Sequence, residues 1–268
     1  MQATTPPTAA VSIHNLWKRF GEHTAVAGLT LDLPAGSFIG LVGPNGAGKT
    51  TTLSMATGLL RPDHGTVLVH GADVWADPVA VKARIGILPE GLRMFERLSG
   101  RELLQYNGRL RGLPGAEVDR RAEELLTVLD LLGAADKLVA DYSTGMRKKI
   151  GLAAALLHNP DVLFLDEPFE GVDPVSAQTI RGVLKRYAAA GSTVVFSSHV
   201  MELVEQLCDW VAVVNAGQII AQGPLDAVRG DRSLHSVFLE LIGVREDDGA
   251  ALGWLGGAAA HDPAGGER

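Results

Sequence analysis

The chain has 268 residues, with 24 Lys and Arg against 31 Asp and Glu and a formal net charge of −7. Hydrophobic residues make up 46% and charged residues 21%, enough apolar material for a core and an exclusion of wholesale disorder. An isoelectric point near 5.6 lacks the cationic footprint of nucleic-acid binders, so no nucleic acid is expected as the main partner. The longest uncharged runs, 33–48 and 210–225, are broken by Gly, Pro, Asn or Gln and fall short of a membrane span. A single cysteine, Cys208, forbids an intrachain disulfide and suits a reducing compartment. Residues 1–10 carry neither a basic nor an apolar leader region, which predicts a chain that is not secreted.

In chain order, residues 1–10 are rich in Thr, Pro and Ala and are expected to be flexible. The segments 11–20 and 24–33 predict paired antiparallel strands. Short apolar runs at Phe38–Val42, 66–69, Ile85–Leu88, Val162–Leu165, 193–196 and 210–214 predict further strands. Helical patterns follow several of them: 50–58 after the first, 175–190 after Asp173-Pro174, and 200–208, for which Ser198 is a candidate cap. Strands alternating with helices predict an α/β parallel sheet. Residues 91–159 hold no convincing strand, and 101–110, 117–132 and 145–157 carry apolar residues at helical spacing, which predicts a helical insert. From about 245 the chain is Gly/Ala-rich without a period, a loose tail.

Residues Gly43-Pro44-Asn45-Gly46-Ala47-Gly48-Lys49-Thr50 satisfy G-x-x-x-x-G-K-[ST] in full, between a strand and a helix. Glycines let successive backbone N–H groups turn inward as an anion nest at a helix start. Lys49 is placed to reach the β- and γ-phosphates, Thr50 to ligate Mg²⁺, and Thr51 extends the loop. This pattern implies binding of a nucleoside triphosphate. A second half-site is predicted where the strand Val162–Leu165 ends in Asp166-Glu167. Asp166 is a candidate to hold Mg²⁺ through water, and Glu167 to polarise an attacking water.

No Asn-Lys-x-Asp element is present, which disfavours a guanine-reading GTPase. The discriminating segment is Ser143-Thr144-Gly145-Met146, and with the other motifs it makes residues 11–223 resemble an ATP-binding-cassette (ABC) ATPase. The resemblance implies a P-loop NTPase fold (RecA-like): a parallel-sheet core, an antiparallel β subdomain and an inserted α-helical signature subdomain. It implies an ABC ATPase domain over 11–230 with its helical insert at about 91–159, followed by a C-terminal extension over 231–268. It places Phe20 where an aromatic stacks on adenine, Glu90 at the Q-loop as a Mg²⁺ ligand, 171–173 at the D-loop, and His199 as the switch histidine beside Glu167. Ser143 and the Gly145 amide would reach the γ-phosphate of a partner's ATP, in a homodimer closed over two ATP with Mg²⁺. Local readings stand beside these: Phe20 as core, Ser143 and Asp173 as helix caps, His199 as a polar residue in a helix's first turn.

Thr144, Met146 and Glu90 depart from the commonest family pattern and resemble the subset serving separate membrane subunits of ABC-2 export type. The expected function is therefore an ATP-hydrolysing subunit on the cytoplasmic face of the cell membrane, energising a separate transmembrane permease. The insert around 91–111 would receive that permease's coupling helix. The alternative is a soluble mechanical ATPase acting on nucleic acid or ribosomes; a P-loop kinase is disfavoured by the signature and His199. Arg147-Lys148-Lys149, the one compact basic triplet, is expected to form a solvated helix face.

Overall fold

The computed structural model describes residues 9–91 and 93–243. Strands β1 (Ala9–Phe20) and β2 (His23–Pro34) pair antiparallel, and β1 also pairs with β4 (His64–Val69), which is edged by the two-residue β5 (Ala72–Asp73). The second sheet contains β3 (Phe38–Val42), β6 (Ile85–Leu88), β7 (Val162–Leu165), β8 (Thr193–Ser198), β9 (Trp210–Asn215) and β10 (Gln218–Pro224). Its order is β10-β9-β3-β8-β7-β6, parallel except for the β10–β9 pair.

The parallel strands are continuously apolar because both faces are covered. Phe38 and Val42 point into one core and Ile39 and Leu41 into the other; Leu163 and Leu165 oppose Val162 and Phe164 in the same way. The first core packs against the helices, the second against the antiparallel sheet and α1 (Lys49–Ala56). Between α2 (Pro78–Arg84) with β6 and the strand β7 lies the insert: α3 (Gly100–Leu110), α4 (Gly115–Val128) and α5 (Thr144–Leu156). A capping box of Ser99 and Glu102 starts α3. The chain closes with α6 (Pro174–Ala189), α7 (Met201–Leu207), α8 (Leu225–Arg229) and α9 (Leu234–Leu241).

Several expectations need correction. The run 66–69 is a strand, but it belongs to the antiparallel sheet with β1. Ser198 is the last residue of β8; its Oγ accepts from the Val200 N–H, and α7 starts at Met201 with no side-chain cap. Strand β10 carries little apolar signal because it is a sheet edge and much of it is exposed. Ala9 and Ala10 already lie in β1, with Ala10 fully buried, while the rest of the expected flexible N-terminus and the tail from about 245 fall outside the described residues. Leu234 and Phe238 of α9 join the helix-side core, so the packed body continues past residue 230.

The basic triplet is not a solvated face. Arg147 pairs with Glu96 at 2.8 Å, Lys148 donates to the Glu167 carbonyl, and the buried Lys149 lies 3.8 Å from Asp130. Just beyond α5, His158 Nε2–H donates to the Ile85 carbonyl at 2.9 Å, leaving its buried Nδ1 without a partner among the described residues. Burial, reinforced by the nearby Arg111 charge, pulls this imidazole down to about 4.

Candidate active site

The carboxyl ends of four parallel strands converge on one cleft: β3 runs into the P-loop, β6 leads to Glu90, β7 ends at Asp166-Glu167, and β8 delivers His199. The cleft is about 340 Å³ and is lined by Phe20, Asn45, Gly46, Gly48, Lys49, Thr50, Thr51, Glu90, Glu167 and His199. Phe20 is 51% exposed at its mouth, which removes the core reading. His199 precedes α7, so it is not in that helix's first turn.

Helix α1 begins at Gly48 with no side-chain cap, so its first N–H groups are open to an anion. Gly48 takes φ +103°, and a Cβ there would lie 2.5 Å from the Ala25 carbonyl, so only glycine fits. Ala47 is buried in the second core, and its carbonyl accepts from the Gly217 N–H, which braces the loop. Lys49 is almost fully buried and donates to the carbonyls of Gly43 (2.8 Å) and Pro44 (3.1 Å), with Glu167 Oε1 at 3.7 Å.

The Thr50 hydroxyl lies 3.2 Å from both Glu90 Oε2 and Asp166 Oδ1. Two carboxylates and a hydroxyl form a hard, all-oxygen donor set that fits Mg²⁺ completed by phosphates and water. No group of three or more His, Cys, Asp or Glu able to hold a metal occurs among the described residues. Asp166 Oδ1 also accepts from the fully buried Ser197 Oγ at 2.5 Å. Burial raises the Asp166 carboxyl, and the Ser197 and Thr50 hydrogen bonds oppose that shift.

Glu167 has φ +44°, a left-handed conformation costing a non-glycine residue of order 1–3 kcal/mol. Its N–H donates to Ser197 Oγ at 2.9 Å and its carbonyl accepts from Lys148 Nζ at 2.8 Å. Burial pushes its carboxyl above the usual glutamate range, against the opposing pull of His199 and Lys49. His199 Nδ1 and Glu167 Oε1 are 3.1 Å apart. An ionised carboxylate only accepts, so in this pair Nδ1 carries the hydrogen.

Ser143 and Gly145 do not line this cleft. Ser143 is exposed, and its Oγ caps α5 by accepting from the Met146 N–H at 3.3 Å. Gly145 is set by crowding within its own chain: a Cβ would meet Ser176 Oγ at 2.7 Å and Asp173 Oδ2 at 2.8 Å. Asp173 in turn caps α6, accepting from the Val175 and Ser176 N–H groups. Sequence reasoning missed His23, Ala25 and Glu170 in the cleft wall, Ser197 beneath it and Lys148 behind it. Ser197 left a trace as one of the two serines that end a largely apolar strand, and Lys148 as a member of the basic triplet.

Comparison with known proteins accords with this geometry. A family model described as ABC transporter matches residues 26–170. The chain is 41% identical over 219 residues to the daunorubicin/doxorubicin resistance ATP-binding protein DrrA of Streptomyces peucetius, covering 82% of this chain and 66% of that one. It is 37% identical over 246 residues to the Nod factor export ATP-binding protein I of Ralstonia nicotianae, covering 91% of this chain and 75% of that one. A solved structure described as the ATP binding subunit of an ABC transporter superposes with a TM-score of 0.81 at 28% identity, covering 88% of this chain and all of that one. The chain thus spans about two thirds of the length of the first relative. Hydrolysis of ATP is the general activity of this family, and the chain belongs to it: it is an ATP-binding protein of the ABC transporter family.

Proposed function

We propose that this chain is the ATP-hydrolysing subunit of an exporter, working as a homodimer on the cytoplasmic face of a membrane whose spans lie in a separate permease. The observation that carries the reading is a divided site. Lys49, Thr50, Glu167 and His199 line one cleft and Asp166 lies 3.2 Å from the Thr50 hydroxyl, while Ser143 stands exposed elsewhere on the same chain. A second copy would bring its Ser143 and Gly145 amide to the γ-phosphate of ATP bound here. Phe20 would stack on the base, and the Gly43–Thr51 backbone with Lys49 would hold the phosphates. Thr50, Asp166 and Glu90 would hold Mg²⁺, which when bound polarises phosphoryl oxygens and neutralises their charge. Glu167 would take a proton from the attacking water, with His199 orienting its carboxylate.

Export follows from what the relatives do, since the names of two of them specify drug resistance and Nod factor export. No helix among the described residues is long and apolar enough to cross a membrane, so a transport role calls for a partner. A groove on the insert, lined by Met94, Phe95, Leu98 and Tyr106, suits an apolar coupling helix; Phe95 is 58% exposed and meets Tyr106 edge to face. Action on nucleic acid or ribosomes loses its one sequence feature, because the basic triplet is spent on Glu96, Glu167 and Asp130. The test is detergent co-purification. A hydrophobic subunit that accompanies the chain, and whose loss accompanies Phe95→Asp, supports the reading. A chain that brings down no membrane protein and pellets with nucleic acid overturns it.

A further inference from the structure

We propose that Lys148 is a positioning residue for hydrolysis, its ammonium clamping the carbonyl of Glu167 so that the carboxylate faces the cleft. The inference rests on the reading of Glu167 as the base. Lys148 sits on α5, five residues past Ser143, and its side chain crosses to the turn after β7. There it donates to the Glu167 carbonyl at 2.8 Å, while the same residue's N–H is held by Ser197 at 2.9 Å. Glu167 is thus gripped on both sides at a φ of +44°, which a non-glycine residue keeps only when its surroundings over-determine it. A charged donor is stronger than a neutral one, and the Glu167 carbonyl is the hydrogen-bond acceptor the Lys148 ammonium takes among the described residues. Loosening the grip would let the peptide relax toward an ordinary conformation and swing the carboxylate off His199 and the cleft. The contact also ties the signature helix to the catalytic turn, so the element that would touch one ATP shapes the base acting on another.

The test uses the full chain with MgATP. Lys148→Met should lower kcat by about tenfold to a hundredfold, the loss expected from one charge-assisted hydrogen bond. KM and the affinity for a fluorescent ATP analogue should stay within about twofold. Lys148→Arg, which keeps a charged donor of similar reach, should recover most of the rate. In a Glu167→Gln background, Lys148→Met should cause no further loss, because the two act as a unit. Normal kcat in Lys148→Met, with Glu167→Gln inactive, overturns the clamp and leaves the base reading intact. Normal kcat in Glu167→Gln overturns the base reading, and the clamp with it. If Lys148→Met unfolds, Lys148→Gln decides: its shorter side chain misses the carbonyl and should lose kcat, and full turnover there overturns the clamp.

Discussion

Two helix starts in this molecule are built on opposite plans. The start of α1 has a glycine in a left-handed conformation, no side-chain cap and a buried lysine beside it. The start of α5 is closed by its own Ser143, and its first turn is packed against the capped start of α6. The first leaves its orphan N–H groups for a ligand, so part of its stability waits on binding. The second is complete without one. In the proposed dimer both meet the same γ-phosphate, one as the holder in its own chain and the other as the visitor.

The largest effect expected on that contrast lies opposite α1. Glu167→Gln should lower turnover by about 10²–10⁴-fold while ATP binding persists, and in the proposed assembly ATP should then trap a dimer visible by size exclusion. Turnover at the unmutated rate would show that the base lies elsewhere. Next, Lys49→Ala should weaken nucleotide affinity about a hundredfold in a fluorescent-ATP titration, and ATP should no longer raise its unfolding temperature. Retention of ATP-dependent stabilisation would mean that the open start of α1 is not the phosphate site.

The third prediction probes the far end of α5. His158 has a folded-state value of about 4 against an ordinary 6.5, so the unfolded chain binds the proton first. Its contribution is intact above 6.5 and is lost as pH falls toward 4. Urea unfolding at pH 5 should find the unmutated chain about 1 kcal/mol less stable relative to His158→Gln than at pH 7.5, solvent screening at a partly exposed imidazole reducing the full effect. Equal pH dependence of the two would remove His158 as the source. The smallest effect is at the cap itself. Ser143→Ala should cost about 1 kcal/mol of stability. Ser143→Asp keeps a cap but sets a negative charge where the partner's phosphate would come, so it should stay folded and lose turnover. Full turnover in Ser143→Asp would reduce Ser143 to its capping role.

What the sequence made legible divides along the same physical line. The P-loop, the Asp166-Glu167 pair and His199 could be read because each follows a short apolar strand, where local pattern and chemistry coincide. The strands Phe38–Val42, Ile85–Leu88 and Val162–Leu165 match to the residue, since burial on both faces demands unbroken apolar runs. The inward turn of Arg147, Lys148 and Lys149 was hidden, because their partners Glu96, Glu167 and Asp130 are brought close only by tertiary packing. His23 was hidden likewise, since nothing in a turn residue's type tells which wall of a cleft it will form.

Those three consecutive cations on α5 have a mechanical consequence. Successive residues of an α-helix point about 100° apart, so contacts from Arg147, Lys148 and Lys149 grip the helix from three sides like the teeth of a keyed shaft. Rolling α5 about its axis would break all three at once. A push on the Phe95 groove, where Glu96 holds Arg147, is therefore borne by the helix as a rigid strut whose next tooth is seated on the Glu167 peptide.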